Sequence, residues 1–135
     1  MNEHSFIKAV HRSLPSEIYR WKIHDTYTGG VPDAFYAGPA GMIFIEYKYI
    51  KEAPKRKTTN IKNTLSPLQI AWLTKMESFG HAAAAVIGVG NNVIVLESSD
   101  IWSHDITFEW YQQNQIARKD FTLWLYDKVA GEHND

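Results

Sequence analysis

Three ionisable side chains sit inside what is otherwise an apolar hairpin. In the stretch GVPDAFYAGPAGMIFIEYKYIK, residues 30–51, two apolar runs flank a Gly-Pro-Ala-Gly turn, yet Asp33 opens the first run and Glu46 and Lys48 are set into the second. Side chains alternate along a strand, so Glu46 and Lys48 share a face with Met42 and Phe44, while Ile43, Ile45, Tyr47 and Tyr49 point the other way. With the turn centred on Pro39-Ala40, Gly38 faces Gly41, Phe35 faces Phe44, and Asp33 faces Glu46. A register shifted by one residue would break that pairing. Cross-strand neighbours hold their Cβ atoms about 5 Å apart, and like charges at that distance destabilise a sheet.

Two arrangements would tolerate the acid pair. On a solvated face, Lys48 offsets both acids in a surface ion pair of nearly neutral energy. On a covered face, the pair is costly unless a cation compensates it. Phe35, Met42 and Phe44 on the same face, and the apolar residues opposite, favour the covered arrangement. A divalent cation is then the simplest partner, and carboxylate-plus-water ligation suits Mg²⁺, with Mn²⁺ as a substitute.

The flanking sequence supplies the elements that must hold these residues. Residues 3–14 read as a helix with Ile7, Val10 and Leu14 on one stripe, Phe6 beside it and Pro15 as a stop. EIYRWKIH, residues 17–24, alternates as a strand. The loop DTYTGGVP follows, with Gly29-Gly30 permitting unusual backbone angles. The hairpin strands fall at about 33–37 and 42–50. Residues 51–64 are polar, basic and without an apolar stripe, and read as a long loop. A second helix starts at Ser66 as N-cap with Pro67 in the first turn, ends at Gly80, and shows an apolar stripe of Leu68, Trp72, Met76 and Phe79. HAAAAVIGVG reads as a strand buried on both faces. NNVIVLE pairs back to it through a hairpin turn, the plainer reading of GVGNN. Two short helices follow, DFTLWLYDKVAG the clearer, and the tryptophans there read as core. This is an α/β chain with a mixed sheet and helices packed on it.

The chain's 135 residues suit one domain, 1–135, and 44% hydrophobic with 21% charged residues is a soluble globular composition. No apolar run approaches the length of a membrane span, and the polar N-terminal stretch does not read as a signal peptide, so the expected location is the cytoplasm. The absence of cysteine removes disulfides, thiolate nucleophiles and zinc–thiolate sites. Net charge is −1, but Lys48, Lys51, Lys55, Arg56, Lys57 and Lys62 meet only one acid, Glu52, in their segment. Taken alone, that run is a solvated loop. No ligand spacing links His24, Asp25 and His81.

Pro32-Asp33 followed by Glu46-Tyr47-Lys48 resembles the signature of the PD-(D/E)xK nuclease superfamily. The order of elements around it resembles that family's αβββαβ, restriction-endonuclease-like core over about residues 1–97, leaving a C-terminal helical extension at about 98–131. YTGGVPD and LSPLQ look like counterparts in Holliday-junction resolvases and small phage-type nucleases. The resemblance implies a Mg²⁺-dependent endodeoxyribonuclease of prokaryotic or viral origin that selects branched or junction DNA. A homing or restriction-type endonuclease, an exonuclease and a non-catalytic nucleic-acid-binding module are the alternatives. It implies metal ligation by Asp33, Glu46 and the Tyr47 backbone carbonyl, with Lys48 acting on the attacking water or the phosphorus. Glu3 is either a further metal-binding acid or a helix-dipole partner. Gln69 either assists the metal site or closes a capping box with Ser66. The implied DNA contacts are Thr28, Gly29, Gly30, Lys51, Lys55, Arg56, Lys57 and Lys62. The implied partners are DNA and a second copy in a homodimer, with no membrane.

Overall fold

Two capping boxes start the helices that matter most. Asn2 caps α1 (Glu3–Ser13) and Ser66 caps α2 (Pro67–Ser78), each with its reciprocal bond in place. The computed structural model describes residues 1–25 and 28–131. Thr26 and Tyr27 of the expected glycine loop, and residues 132–135, lie outside the described residues. Between and after the two helices run β1 (Tyr19–Lys22), β2 (Ala34–Gly38), β3 (Gly41–Ile50), β4 (Ala83–Val89) and β5 (Asn92–Leu96). The chain continues through α3 (Ser99–Trp102), α4 (Phe108–Asn114), β6 (Ile116–Ala117) and α5 (Arg118–Ala130).

The six strands form one sheet in sequence order. All neighbours are antiparallel except β3 and β4, which run parallel because α2 carries the chain back between them. The order α1-β1-β2-β3-α2-β4 is that of the expected αβββαβ core. The hairpin register is also as expected, with Gly38 opposite Gly41 and Phe35 opposite Phe44.

Both faces of the sheet are covered. On one side, α1 and α5 bury Phe6, Ile7, Val10, Phe121, Leu125 and Val129 against Ile43, Ile45 and Tyr47. On the other, Leu73 of α2, Ile61, Leu65, Trp102 and Tyr111 pack on Ala85, Ile87 and Ile94. β4, between the two cores, is buried nearly throughout, as its unbroken apolar run implied. Inside the first core a polar chain runs from His11 Nε2 to Tyr36 OH at 2.7 Å and on to Tyr47 OH at 2.7 Å.

The structure differs from the sequence expectation in three places. The buried residue of α2 is Leu73, flanked by Ile70, Trp72 and Met76, while Leu68 and Phe79 are 63% and 58% exposed. The helix is apolar on more than one side, so periodicity alone offered several arcs. Residues 51–64 are not an unpinned loop. Ile61 and Leu65 enter the second core, and backbone bonds link Ile61 to Ile106, Thr59 to Phe108, and Lys57 to Glu109. Asn60 adds bonds to Asp105 and to the Ile106 amide. Finally, the C-terminal segment is not helical alone, because Ile116–Ala117 add a short edge strand to β5.

Candidate active site

Continuing the hairpin register one step past Ala34–Ile45 brings Asp33 opposite Glu46. Strand pairing does not stop abruptly there, since the Asp33 carbonyl accepts the Ile23 amide at 2.8 Å. The Asp33 side chain then reaches across to β3, where Oδ2 accepts the Tyr47 N–H at 2.8 Å. Glu46 is 2% exposed, one of two buried polar side chains among the described residues. Its Oε1 accepts a hydrogen bond from Gln69 Nε2 at 2.7 Å. Its Oε2 is buried and receives no N–H or hydroxyl from the described residues, while the Asp33 carboxyl lies within hydrogen-bonding reach of Glu46, so that the two acids can share a proton.

Gln69 closes the capping box and also reaches the acid pair. Its Oε1 accepts the Ser66 amide at 2.9 Å, closing the capping box, while Nε2 holds Glu46. The start of α2 is thereby tied to the acid pair.

Burial, reinforced by the charge of Asp33, pushes the Glu46 carboxyl up to about 8. Burial also raises Asp33, against the Tyr47 amide and the charge of Lys48, which stabilise its anion. Glu3, half-buried in the first turn of α1, is raised by burial and by Asp33. The charge of Lys48 works the other way, favouring its anion. Still, among the described residues no three acids or histidines stand close enough together to hold a metal ion. The assembled set is therefore two carboxylates with Lys48, half-buried one alternation further along β3. Tyr47 lies between them, with its ring in the first core.

The acid pair fits a divalent cation. A buried carboxylate oxygen that no N–H or hydroxyl of the described residues reaches, beside a second carboxylate, is a donor set waiting for positive charge. Mg²⁺ in particular is held by one or two carboxylates, with water or phosphate oxygens completing its shell.

The Gly29–Gly30 loop packs against α2. Gly30 has φ +85°, and a Cβ there would stand 2.4 Å from the Leu68 carbonyl oxygen. Thr28 is exposed, and its amide donates to Asp25 at 3.0 Å. Lys51, Lys55, Arg56 and Lys57 are exposed on the segment leaving the end of β3, and Lys62 is half-buried. None of these five has an ion-pair partner among the described residues.

Sequence reasoning missed a further cation, Lys22. Lys22 Nζ lies 2.6 Å from His4 Nδ1. Lys22, burial, Lys8 and His24 together hold the His4 imidazole below its usual range. Lys22 also favours the anions of Asp33 and Glu3. The signal is a pairing, since Lys22 opposes Ala34, next to Asp33, and no local pattern reveals that.

No family model matches the chain, and no curated protein does. Among solved structures, the chain is similar to that of Hjc, a Holliday junction resolvase from the archaeal hyperthermophile Archaeoglobus fulgidus. Identity is 12% and the TM-score 0.47, over 82% of this chain and 95% of that one. What the site does is therefore read from its own residues.

Proposed function

We propose that the chain is a Mg²⁺-dependent endodeoxyribonuclease that hydrolyses DNA phosphodiester bonds and selects branched or junction structure. The observation behind this reading is Glu46, a buried carboxylate with one oxygen fixed by Gln69, the other reached by no N–H or hydroxyl of the described residues, and a second acid beside it. Asp33 and Glu46 would hold the cation, with the Tyr47 carbonyl as a further donor. Once bound, a divalent ion polarises a phosphate and lowers the pKa of its water.

The remaining work falls to the chain's own residues. Gln69 fixes the Glu46 carboxylate, and the Tyr47 amide fixes Asp33. Lys48 projects from the same face as Glu46, where its ammonium orients the attacking water and offsets charge developing on the phosphate. Glu3 adds a third acid within electrostatic reach. Lys51, Lys55, Arg56, Lys57 and Lys62, with Thr28, Gly29 and Gly30, hold the DNA backbone. Such contacts position a substrate without reading bases, which favours selection by DNA structure. In this reading the chain acts as a homodimer, because one small domain covers little of a branched substrate.

The test is incubation with plasmid, linear, single-stranded and branched DNA in Mg²⁺, Mn²⁺ or EDTA. Branched DNA is expected to be cut with either metal and spared in EDTA. Asp33→Asn, which keeps an acceptor for the Tyr47 amide, is expected to abolish cutting. Lys48→Ala is expected to bind DNA normally and to lose turnover by about 100-fold or more. Parental cutting by Asp33→Asn in Mg²⁺ would overturn the assignment.

A further inference from the structure

Two basic side chains leave β1 on the α1 side of the sheet, and only one of them is spent. Burial alternates along the strand, with Tyr19 and Trp21 exposed and Arg20 and Lys22 half-buried. The Arg20 guanidinium donates to the carbonyls of His11, Leu14, Pro15 and Ile18, where it fastens the end of α1 to the strand. Lys22, the next residue on that side, forms no ion pair among the described residues. Its Nζ meets His4 Nδ1 instead, at 2.6 Å.

An ammonium can only donate, so Nδ1 accepts and the neutral ring carries its proton on Nε2. Lys22 favours that neutral ring, since its charge is the largest influence holding His4 below its usual range. One of the three ammonium protons is thereby used. The other two meet no acceptor among the described residues, and the His4 ring beside them is exposed. A lysine whose only task was to neutralise acids would bond to one of them. This one is fixed by a neutral group and keeps its charge.

Strand pairing places that charge at the same end of the sheet as the acids. Lys22 ends β1 opposite Ala34, whose neighbour is Asp33. Backbone amides of a strand point within the sheet, so the Asp33 carboxyl, held on the Tyr47 N–H, lies near the sheet's plane and not on one face. Cations can then act on it from both sides. Lys48 does so from the face of Glu46 and Lys22 from the face of α1, and both charges favour the Asp33 anion. β1 stands two strand spacings, about 10 Å, from β3, so the two lysines are rooted on either side of β2.

We propose that Lys22 is a substrate-binding residue that takes a phosphate flanking the scissile one, with His4 as the positioning residue that holds its ammonium. The DNA backbone then crosses the end of the sheet from the side where Lys48 stands to the side of α1. Phosphate is the chemistry that fits, because a lysine binds it as a point charge through its free protons. The proposal rests on the nuclease reading above and deepens it.

The test takes the full chain and a branched oligonucleotide, with binding read over a salt series in Ca²⁺ and cutting read in Mg²⁺. Lys22→Met, which keeps the stem without the charge, is expected to weaken binding about ten-fold and to flatten log affinity against log salt by about one contact. In cutting, the loss is expected in KM more than in kcat. Lys22→Arg is expected to restore the slope and most of the affinity. His4→Ala, which leaves the charge but not its support, is expected to weaken binding with the slope retained, and parental binding by it would overturn the role of His4. Lys22→Gln reads the same slope should Lys22→Met fail to fold. An unchanged slope in a lysine variant, with the parent binding and cutting, would overturn the phosphate contact and leave the nuclease reading standing. Tighter Mn²⁺ binding by that variant without DNA, again with an unchanged slope, would make Lys22 a balance for the acids only. Failure of the parent to bind any DNA would overturn both.

Discussion

Glu46 is buried against the Asp33 carboxyl, with one oxygen that no N–H or hydroxyl of the described residues reaches, so the pair requires a proton or a cation. Its folded pKa of about 8 lies above the ordinary 4.5. A raised acid pKa means that the folded state binds the proton more tightly. Its stabilising contribution is complete below about pH 4.5 and is lost as pH rises through 8, by at most about 1.4 kcal/mol per pH unit. His11 runs the other way. Burial and the charges of Arg20 and Lys22 depress it to about 4, so its contribution is lost as pH falls below 6.5. Melting in EDTA between pH 6.5 and 8.5 therefore reads the Glu46–Asp33 pair clear of His11. The parent is expected to lose stability steadily over that window, and Glu46→Gln to show no such slope. Added Mg²⁺ should recover the parent most at the high-pH end. A parent melting temperature flat across the window would remove the case for a buried, protonated Glu46. At this scale the sequence was informative where turn and alternation are local, since two glycines and a proline set the Asp33–Glu46 register. It was silent on Lys22, whose place depends on which strand pairs with which.

Among the elements, α2 and the glycine loop set the precision of the site. Gly30 is held at φ +85° with its α-carbon against the backbone of Leu68 and Gln69. Gly80 has a similar φ of +82°, but a Cβ there would meet nothing within 4 Å. The two glycines therefore separate backbone strain from close approach. Gly80→Ala is expected to cost about 1–3 kcal/mol through its left-handed backbone alone. Gly30→Ala should cost more, because the Leu68 carbonyl is backbone and cannot swing away. It should also displace the first turn of α2, loosening Gln69 from Glu46 and lowering turnover, which Gly80→Ala should leave alone. Equal melting temperatures and equal rates for the two variants would argue against the contact. Caps and glycines made the ends of α2 legible, but its buried side was not. LQIAWL offers several apolar arcs, and packing against β4 selects the one through Leu73. The 51–64 segment was misjudged for a related reason. Its anchors are backbone bonds to residues 106–109, the Asn60 side chain and the single buried Ile61, and none of them leaves a periodic trace.

Across the whole molecule, 14 Lys and Arg against 15 Asp and Glu give no long-range attraction for DNA, so local arrays must supply it. Two arrays are available. One is the Lys51–Lys62 segment leaving the end of β3, and the other is Lys8 and Lys22, where the first half of α1 meets the end of β1. Replacing Lys55, Arg56 and Lys57 together by alanine tests the first. The segment's anchors use the Lys57 and Thr59 backbone and the Asn60 side chain, so the fold should survive. If each of the three cations displaces counterions from a phosphate, the dependence of log affinity on log salt should shallow by up to about three contacts. The loss should be similar for unrelated sequences, since phosphate contacts carry no base information. The measurement is a salt series of DNA binding in Ca²⁺ for the parent and the triple variant. An unchanged slope would mean that the backbone does not follow this segment. The α1–β1 array, which reaches Asp33 through Lys22, would then be its path, and Lys8→Ala should flatten the slope instead.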